Sequence, residues 1–523
     1  MNRAEMLDRL RSGRRDWELL ILGGGATGVA CALDAASRGY RTALVEQHDF
    51  GKGTSSRSTK LIHGGVRYLE QGNVTLVMEA LKERGILREN APHLVSDLAF
   101  IVPNYEWWEA PFYGVGLRLY DLLAGKYGFG RSRLLSREET LERLPNLKPE
   151  GLRGGVIYYD GQFDDARLLI HMARTAAEQG AALVNYCRAV AFVRDSQGLV
   201  CGAVVRDEET GEEIELHARA VINATGCFSD AVRRLADPEV RPMIAPSQGV
   251  HLVFDAGFLR GDAAILAPRT RDGRVMFAIP WHGHALVGTT DTALDEVSLE
   301  PAPMEEEIEL ILETAADYLE RAPSRADILS AWAGIRPLVR SAEGASTASL
   351  SRDHSIHIDP NGLITIAGGK WTTCRKMAED CIDQAALLAG LDERPCVTRR
   401  LRIHGYHHHA DQFGHLSVYG SDAIAIREMI RLHPERGRRL AAPLPYLEAE
   451  VVWAARWEMA RSVEDVLARR TRALQLNARA ALEAAPRVAE ILAAELGRPA
   501  GWAQQELEAF RRLAQRYLPG GVC

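Results

Sequence analysis

A strand, a glycine turn, a helix and a second strand ending on an acid follow one another between Trp17 and Glu46, and no other feature of the chain limits its possible folds as tightly. Trp17–Leu22 is a short apolar run, Gly23–Gly28 the turn, Val29–Arg38 a helix-like stretch and Arg41–Val45 the next strand, which together make a βαβ opening. Gly23, Gly25 and Gly28 fit G-x-G-x-x-G: the first permits a tight turn, the second lets backbone approach a pyrophosphate, and the third lets helix pack on strand. Ala26 and Thr27 open the helix, whose N-terminus faces the phosphates. Glu46 ends the second strand, where an acid accepts hydrogen bonds from a ribose. Strand, helix and acid in register point to a dinucleotide site rather than a ligand-free glycine turn.

The chain has 523 residues, 46% apolar and 25% charged, which places it in the ordinary globular range with room for two or three domains. A formal net charge of −7, with acids and bases mixed along the whole length, excludes the basic footprint of a nucleic-acid binder. The eight cysteines form no CxxC pair and no metal-ligand cluster, so no metal site is expected and a reducing cytosol is the natural setting. Residues 1–16 read as an N-terminal arm without the continuous apolar core of a signal peptide. No apolar run of about 18 residues appears, so the chain is expected to be free or peripheral at a membrane.

Two later stretches, Ala220–Gly226 and Gly362–Gly369, are apolar strands ending in small residues and look like returns to the same sheet. In flavoproteins of the glutathione-reductase and amino-acid-oxidase type such returns complete an FAD site, and this favours FAD over NAD. The expected fold is therefore α/β. It has a discontinuous Rossmann-like FAD-binding domain (17–80, 150–235 and 350–390), an α+β substrate domain (81–149 and 236–349) and a helical C-terminal domain (391–523).

Residues 53–70, GTSSRSTKLIHGGVRYLE, together with the preceding LLILGGGATGVACALDAASRGYRTALVEQHDF, resemble the FAD-dependent, respiratory glycerol-3-phosphate dehydrogenase family. SQGVHLVF (247–254), AGIRPL (333–338), Ser351-Arg352-Asp353 and AGGKWTTCRKMAED (367–380) extend the resemblance over nearly the whole chain. It implies oxidation of sn-glycerol 3-phosphate to dihydroxyacetone phosphate with hydride transfer to FAD. Ser55, Ser56, Ser58 and Thr59 beside Lys60 supply hydroxyls for phosphate or flavin edges, and Leu61 and His63 should lie under the cofactor.

His63 and His251 are both candidates for the base, and the sequence does not choose between them. Arg336 and Arg352, with Arg67 by the same resemblance, are candidates for the phosphate, because guanidinium groups grip two oxygens at once. Lys370 follows Gly368-Gly369 at a strand-to-helix junction, where an ammonium and a helix start would stabilise charge on reduced flavin. Thr372 and Thr373 are expected to bond the flavin carbonyl edge, and Gly226 and Gly369 to border the cofactor.

Two electron acceptors are open within the resemblance, quinone and oxygen. Quinone is favoured because the chain lacks the long insertion of the oxidase branch. Segment 107–123 mixes aromatics, leucines, Arg118 and Asp121 in a way that suits either an interfacial helix or a buried one. Attachment to the cytoplasmic face of a bacterial inner membrane and a homodimer are expected, and the absence of a calcium-loop pattern departs from the mitochondrial members. Past Gly390 the chain reads as helical, with His404–His409 as a polar join, and runs such as Glu305–Glu307 and Arg469–Arg472 read as solvated helix faces. A related FAD oxidase of amino or hydroxy acids, or a non-catalytic flavin-bound regulator, would share the fold.

Overall fold

The computed structural model describes residues 1–65, 73–268, 270, 273–340 and 353–519. Two sheets organise it. In the first, of eight strands, Trp17–Leu22 lies between Thr42–Val45 and Glu213–Asn223, with Ala182–Val184 beyond one neighbour and Ile364–Gly368 beyond the other. All these pairings are parallel. Both segments expected to return to the sheet thus lie on the far side of the first strand, and the strand order reverses there. Such a reversal leaves a crevice at the carboxyl ends of the strands.

Helix Ala26–Ser37 packs against both Asp165–Glu178 and Cys374–Leu388 and is buried along almost its whole length. That explains its run of alanines and glycine, since larger side chains would hold the neighbouring helices apart. Helix Arg3–Ser12 occupies what the sequence suggested was an arm. Met6, Leu7 and Leu10 enter the core, and Arg3 bonds Asp207 at 2.6 Å.

The second sheet has ten strands, mostly antiparallel, with Ile244–Asp255 and Ser330–Val339 paired over their full length. Alternate residues along a strand face different cores. Phe100, Val102 and Val253 pack with the C-terminal helices, and Ile101, Leu252 and Phe254 with helix Glu305–Tyr318. Burial on both faces accounts for the near-continuous apolar stretches. Strands Gly154–Phe163 and Leu61–Ile62, which the sequence segmentation assigned to the FAD-binding domain, hydrogen-bond into this second sheet instead. Gly154–Phe163 lies beside an expected boundary, where one apolar strand resembles another.

The run at 469–472 differs most from its sequence reading. Arg470 and Arg472 are each 1% exposed, and the carboxylate of Asp49 accepts from Arg469 Nε at 2.5 Å and from Arg470 at 2.7 and 2.9 Å. Nearby, Arg167 bonds both oxygens of Glu458. These carboxylates are far away in sequence, so only tertiary structure reveals the pairing. Glu305 and Glu306 are exposed as expected, but Glu307 is buried and accepts from Thr290, Thr292 and Gln248. Removing one partner of a buried pair costs about 3–5 kcal/mol. Asp49→Asn should therefore lower stability by an amount of that order, read as a fall in melting temperature, whereas an unchanged melting curve would show the cluster to be dispensable.

Candidate active site

A cavity of about 410 Å³ opens at the carboxyl ends of the parallel strands, bordered by Leu22, Val45, Ala224 and Gly368. Gly23 holds φ +108°, and a Cβ on it would stand 2.7 Å from the Ala224 carbonyl oxygen. A Cβ on Gly28 would fall 1.9 Å from the carbonyl oxygen of Gly23. Neither position tolerates a side chain, and the turn therefore presents bare backbone to the cavity. Gly25, Ala26 and Thr27 line it where the helix begins. Glu46 also lines it and accepts from the amides of Gly24 at 2.6 Å and His48 at 2.8 Å. Burial pushes its carboxyl upward from the usual range, and each oxygen keeps a second lone pair for a ribose hydroxyl.

Gly226, Gly369, Lys370 and Trp371 line the cavity as well. Ser55 ties the helix start to Trp371: its hydroxyl accepts from Ala26 N–H at 2.8 Å, and its carbonyl accepts from Trp371 Nε1 at 2.9 Å. A backbone cradle at a helix start, an acid able to accept from a ribose, and Lys370 on the same cavity suit FAD.

The remaining expected cofactor contacts do not line this cavity. Lys60 has 0% exposure and φ +64°, and its ammonium donates to both oxygens of Asp165 and to the Ser56 carbonyl. Burial pulls that ammonium down to about 7, with Asp165 opposing the shift. The Ser56 side chain is buried, and Leu61 belongs to the core shared with the C-terminal helices. Thr59 Oγ1 shares a 2.9 Å hydrogen bond with His251 Nε2. The Thr372 hydroxyl is engaged by the backbone of His63, at 3.2 Å to its amide and 3.4 Å to its carbonyl, and the Thr373 hydroxyl donates to the Lys370 carbonyl. In this structure these hydroxyls bond to the protein's own backbone and side chains.

The two histidines differ sharply. His63 is half-buried and sits against the Lys370–Thr373 junction. His251 is 3% exposed and stacks on Trp332 at 4.5 Å. Burial, then the charges of Lys60 and Arg336, hold its imidazole well below the usual range. Arg336 stands opposite Ser247 across the paired strands. Its terminal nitrogens donate to Gln248 O, Thr289 Oγ1 and Thr290 O and pair with Asp291 at 3.4 Å. Arg67 and Arg352 lie outside the described residues.

Residues 18–375 match the FAD dependent oxidoreductase family, and residues 364–506 match the C-terminal domain of alpha-glycerophosphate oxidase. The probable mitochondrial glycerol-3-phosphate dehydrogenase of Caenorhabditis elegans is 44% identical over 99% of this chain and 75% of its own length. The mitochondrial enzyme of Mus musculus is 43% identical over 95% of this chain and 73% of its own. The chain belongs to the FAD-dependent glycerol-3-phosphate dehydrogenase family. Its cofactor is FAD. The glycerol-3-phosphate dehydrogenase from Bacillus halodurans, solved in complex with FAD, has a TM-score of 0.81 at 29% identity and is covered over 99% of both chains.

Several cavity residues of this glycerol-3-phosphate dehydrogenase family member escaped the sequence reading. Gln47 follows the ribose acid, Lys52 pairs with Glu300 and Glu464 at 2.5 Å each, and Arg188 and Cys227 come from later segments. Asp165 was missed too, although FDDARLL carries the signal of an acid at a helix start. Gly28→Ala should give folded protein with little bound flavin, because the added methyl collides with backbone. Flavin absorbance per chain equal to the parent's would contradict that.

Proposed function

We propose that this chain oxidises sn-glycerol 3-phosphate to dihydroxyacetone phosphate and passes the electrons to a quinone at a membrane surface. The reading is carried by its likeness, over nearly the whole chain, to enzymes named glycerol-3-phosphate dehydrogenase. Bound FAD supplies the acceptor for the hydride leaving carbon 2. His63 takes the hydroxyl proton on a ring nitrogen, since it is half-buried and its backbone is held by Thr372, two residues after the cavity-lining Lys370. His251 is less suited, being enclosed by Thr59 and Trp332. Arg336 contributes its charge from a fixed position because both terminal nitrogens are already engaged. A two-toothed grip on phosphate falls to Arg67 and Arg352. Holding the phosphate turns remote binding energy into orientation of the reacting carbon. The Lys370 ammonium favours negative charge on the reduced ring.

Anaerobic glycerol 3-phosphate should bleach the bound flavin, and a flavin that stays yellow would overturn the reading. Removal of a base costs roughly 100- to 10,000-fold in rate. His63→Ala should slow bleaching on that scale and more than His251→Ala does; the reverse order would exchange their roles.

The quinone half of the reading rests on helix Glu109–Ala124 and on Trp107, two residues before it. Leu117 and Tyr120 are buried, while Trp107 (74% exposed), Phe112, Val115 (71%), Leu119 and Leu122 (76%) are exposed. Within the helix, the exposed positions recur at helical spacing beside exposed Arg118, as an interfacial helix requires. One face of the segment is thus buried and the other exposed and apolar, which supports the interfacial reading. Among the described residues no helix is long and apolar enough to cross a membrane. Tyr120 accepts from the Gly64 amide at 2.8 Å and donates to Asp160 at 2.7 Å, which couples the helix to the neighbour of His63. Val115→Glu with Leu122→Glu should abolish sedimentation with anionic vesicles and leave flavin bleaching unchanged. Undiminished vesicle binding, or peroxide release at turnover rate without membranes, would remove the quinone reading.

A further inference from the structure

Three donors converge on one backbone oxygen at the turn before His63. The Ser56 carbonyl accepts from Lys60 Nζ at 2.7 Å, Gln475 Nε2 at 2.8 Å and Arg472 Nη2 at 3.3 Å. Gln475 and Arg472 belong to the C-terminal helical region, more than four hundred residues away in sequence. Asp165 completes the knot: it accepts from Lys60, Arg472 and both the amide and hydroxyl of Ser58. Asp164 adds a 3.3 Å contact to Arg472, and the Lys60 ammonium lies over the rings of Trp281 and Trp332 at 5.0 and 4.8 Å.

None of the cluster's charged side chains lines the cofactor cavity, and they pair with one another. What it constrains is geometry. Lys60 is held in a left-handed conformation that residues with a side chain seldom adopt. In this turn Thr59 points to His251 while Lys60 points to Asp165. Upstream, Ser55 meets the start of the cofactor helix; downstream, Leu61–Ile62 pairs with Gly161 and Gln162 and delivers His63. Buried ionic groups of this kind serve position better than stability, because desolvation offsets most of their attraction.

We propose that Lys60 and Gln475 are positioning residues for the oxidation: through Gln475 and Arg472 the C-terminal helical domain locks the Ser56–Lys60 turn, and thereby sets where His63 and His251 stand. The inference rests on the reading of the site given under Proposed function. A misplacement of about 1 Å in such a site costs on the order of 100-fold in rate.

The test is anaerobic stopped-flow reduction of the bound flavin by glycerol 3-phosphate, counted per bound flavin, in Gln475→Met, Thr59→Val and Thr59→Ser. Gln475→Met keeps the side-chain length and buries no new charge; Thr59→Val interrupts the same path without touching the ion cluster. The saturating rate should fall at least about tenfold in both, a barrier change of roughly 1.4 kcal/mol. Half-saturation should stay within about threefold, because the phosphate grip lies elsewhere. The flavin absorption bands should shift in Gln475→Met, and Thr59→Ser should recover the parent rate. Parent-like rates in flavin-loaded Gln475→Met and Thr59→Val would overturn the inference, as would losses that track only the flavin lost. A parent flavin that glycerol 3-phosphate does not bleach sinks the functional reading itself, a distinct result.

Discussion

A charge removed from water must meet an opposite charge, and the joint between the C-terminal helices and the rest of the molecule is built on that demand. Arg469 and Arg470 converge on Asp49, Arg472 on Asp164 and Asp165, and Arg167 on Glu458. Asp49 lies just past the second strand of the cofactor sheet, and Asp165 opens the helix that packs beside the cofactor helix. Arg469 also pairs with Glu464 and Asp465, and Asp165 with Lys60, but Asp49 draws its arginines from the C-terminal region and Arg167 its carboxylate, Glu458, from there too. The C-terminal domain is therefore tied by buried ion pairs to the elements that carry the cofactor site.

The cavity depends on a second constraint, close approach of backbone. Gly23 and Gly28 leave no space for a Cβ, so helix and strand draw together and the amides at the helix start are exposed to the crevice. The Thr54–His63 segment then spans from this turn to the second sheet. Gly334 makes that passage possible: a Cβ there would lie 2.8 Å from the Arg57 carbonyl oxygen. The cofactor end, the histidines and the exposed apolar helix are thus linked through one short stretch of chain.

Some of this was legible in the sequence because it is local. Gly23, Gly25, Gly28 and Glu46 announce themselves by spacing, and the two returning strands by apolar runs that end in small residues. Ser56, Thr59, Lys60, Leu61 and Thr372 were read as cofactor contacts from the family resemblance, from hydroxyls beside a lysine and from an apolar run too long for a solvated loop. Sequence shows the polarity of a side chain but not its direction. At Lys60 a single left-handed residue turns the ammonium into a buried knot. Likewise Arg469–Arg472 resembles a solvated face until carboxylates hundreds of residues away are brought beside it.

The sequence alone determined the dinucleotide turn, the α/β class and the family, since these rest on residue type at short spacing and on matching blocks in order. Tertiary structure decided which protein groups the hydroxyls of Ser55, Ser58, Thr59 and Thr372 meet. It also separated a half-buried His63 from an enclosed His251, and divided segment 107–123 into one buried and one exposed face. Those outcomes depend on desolvation and direction, which arise only when distant segments pack together.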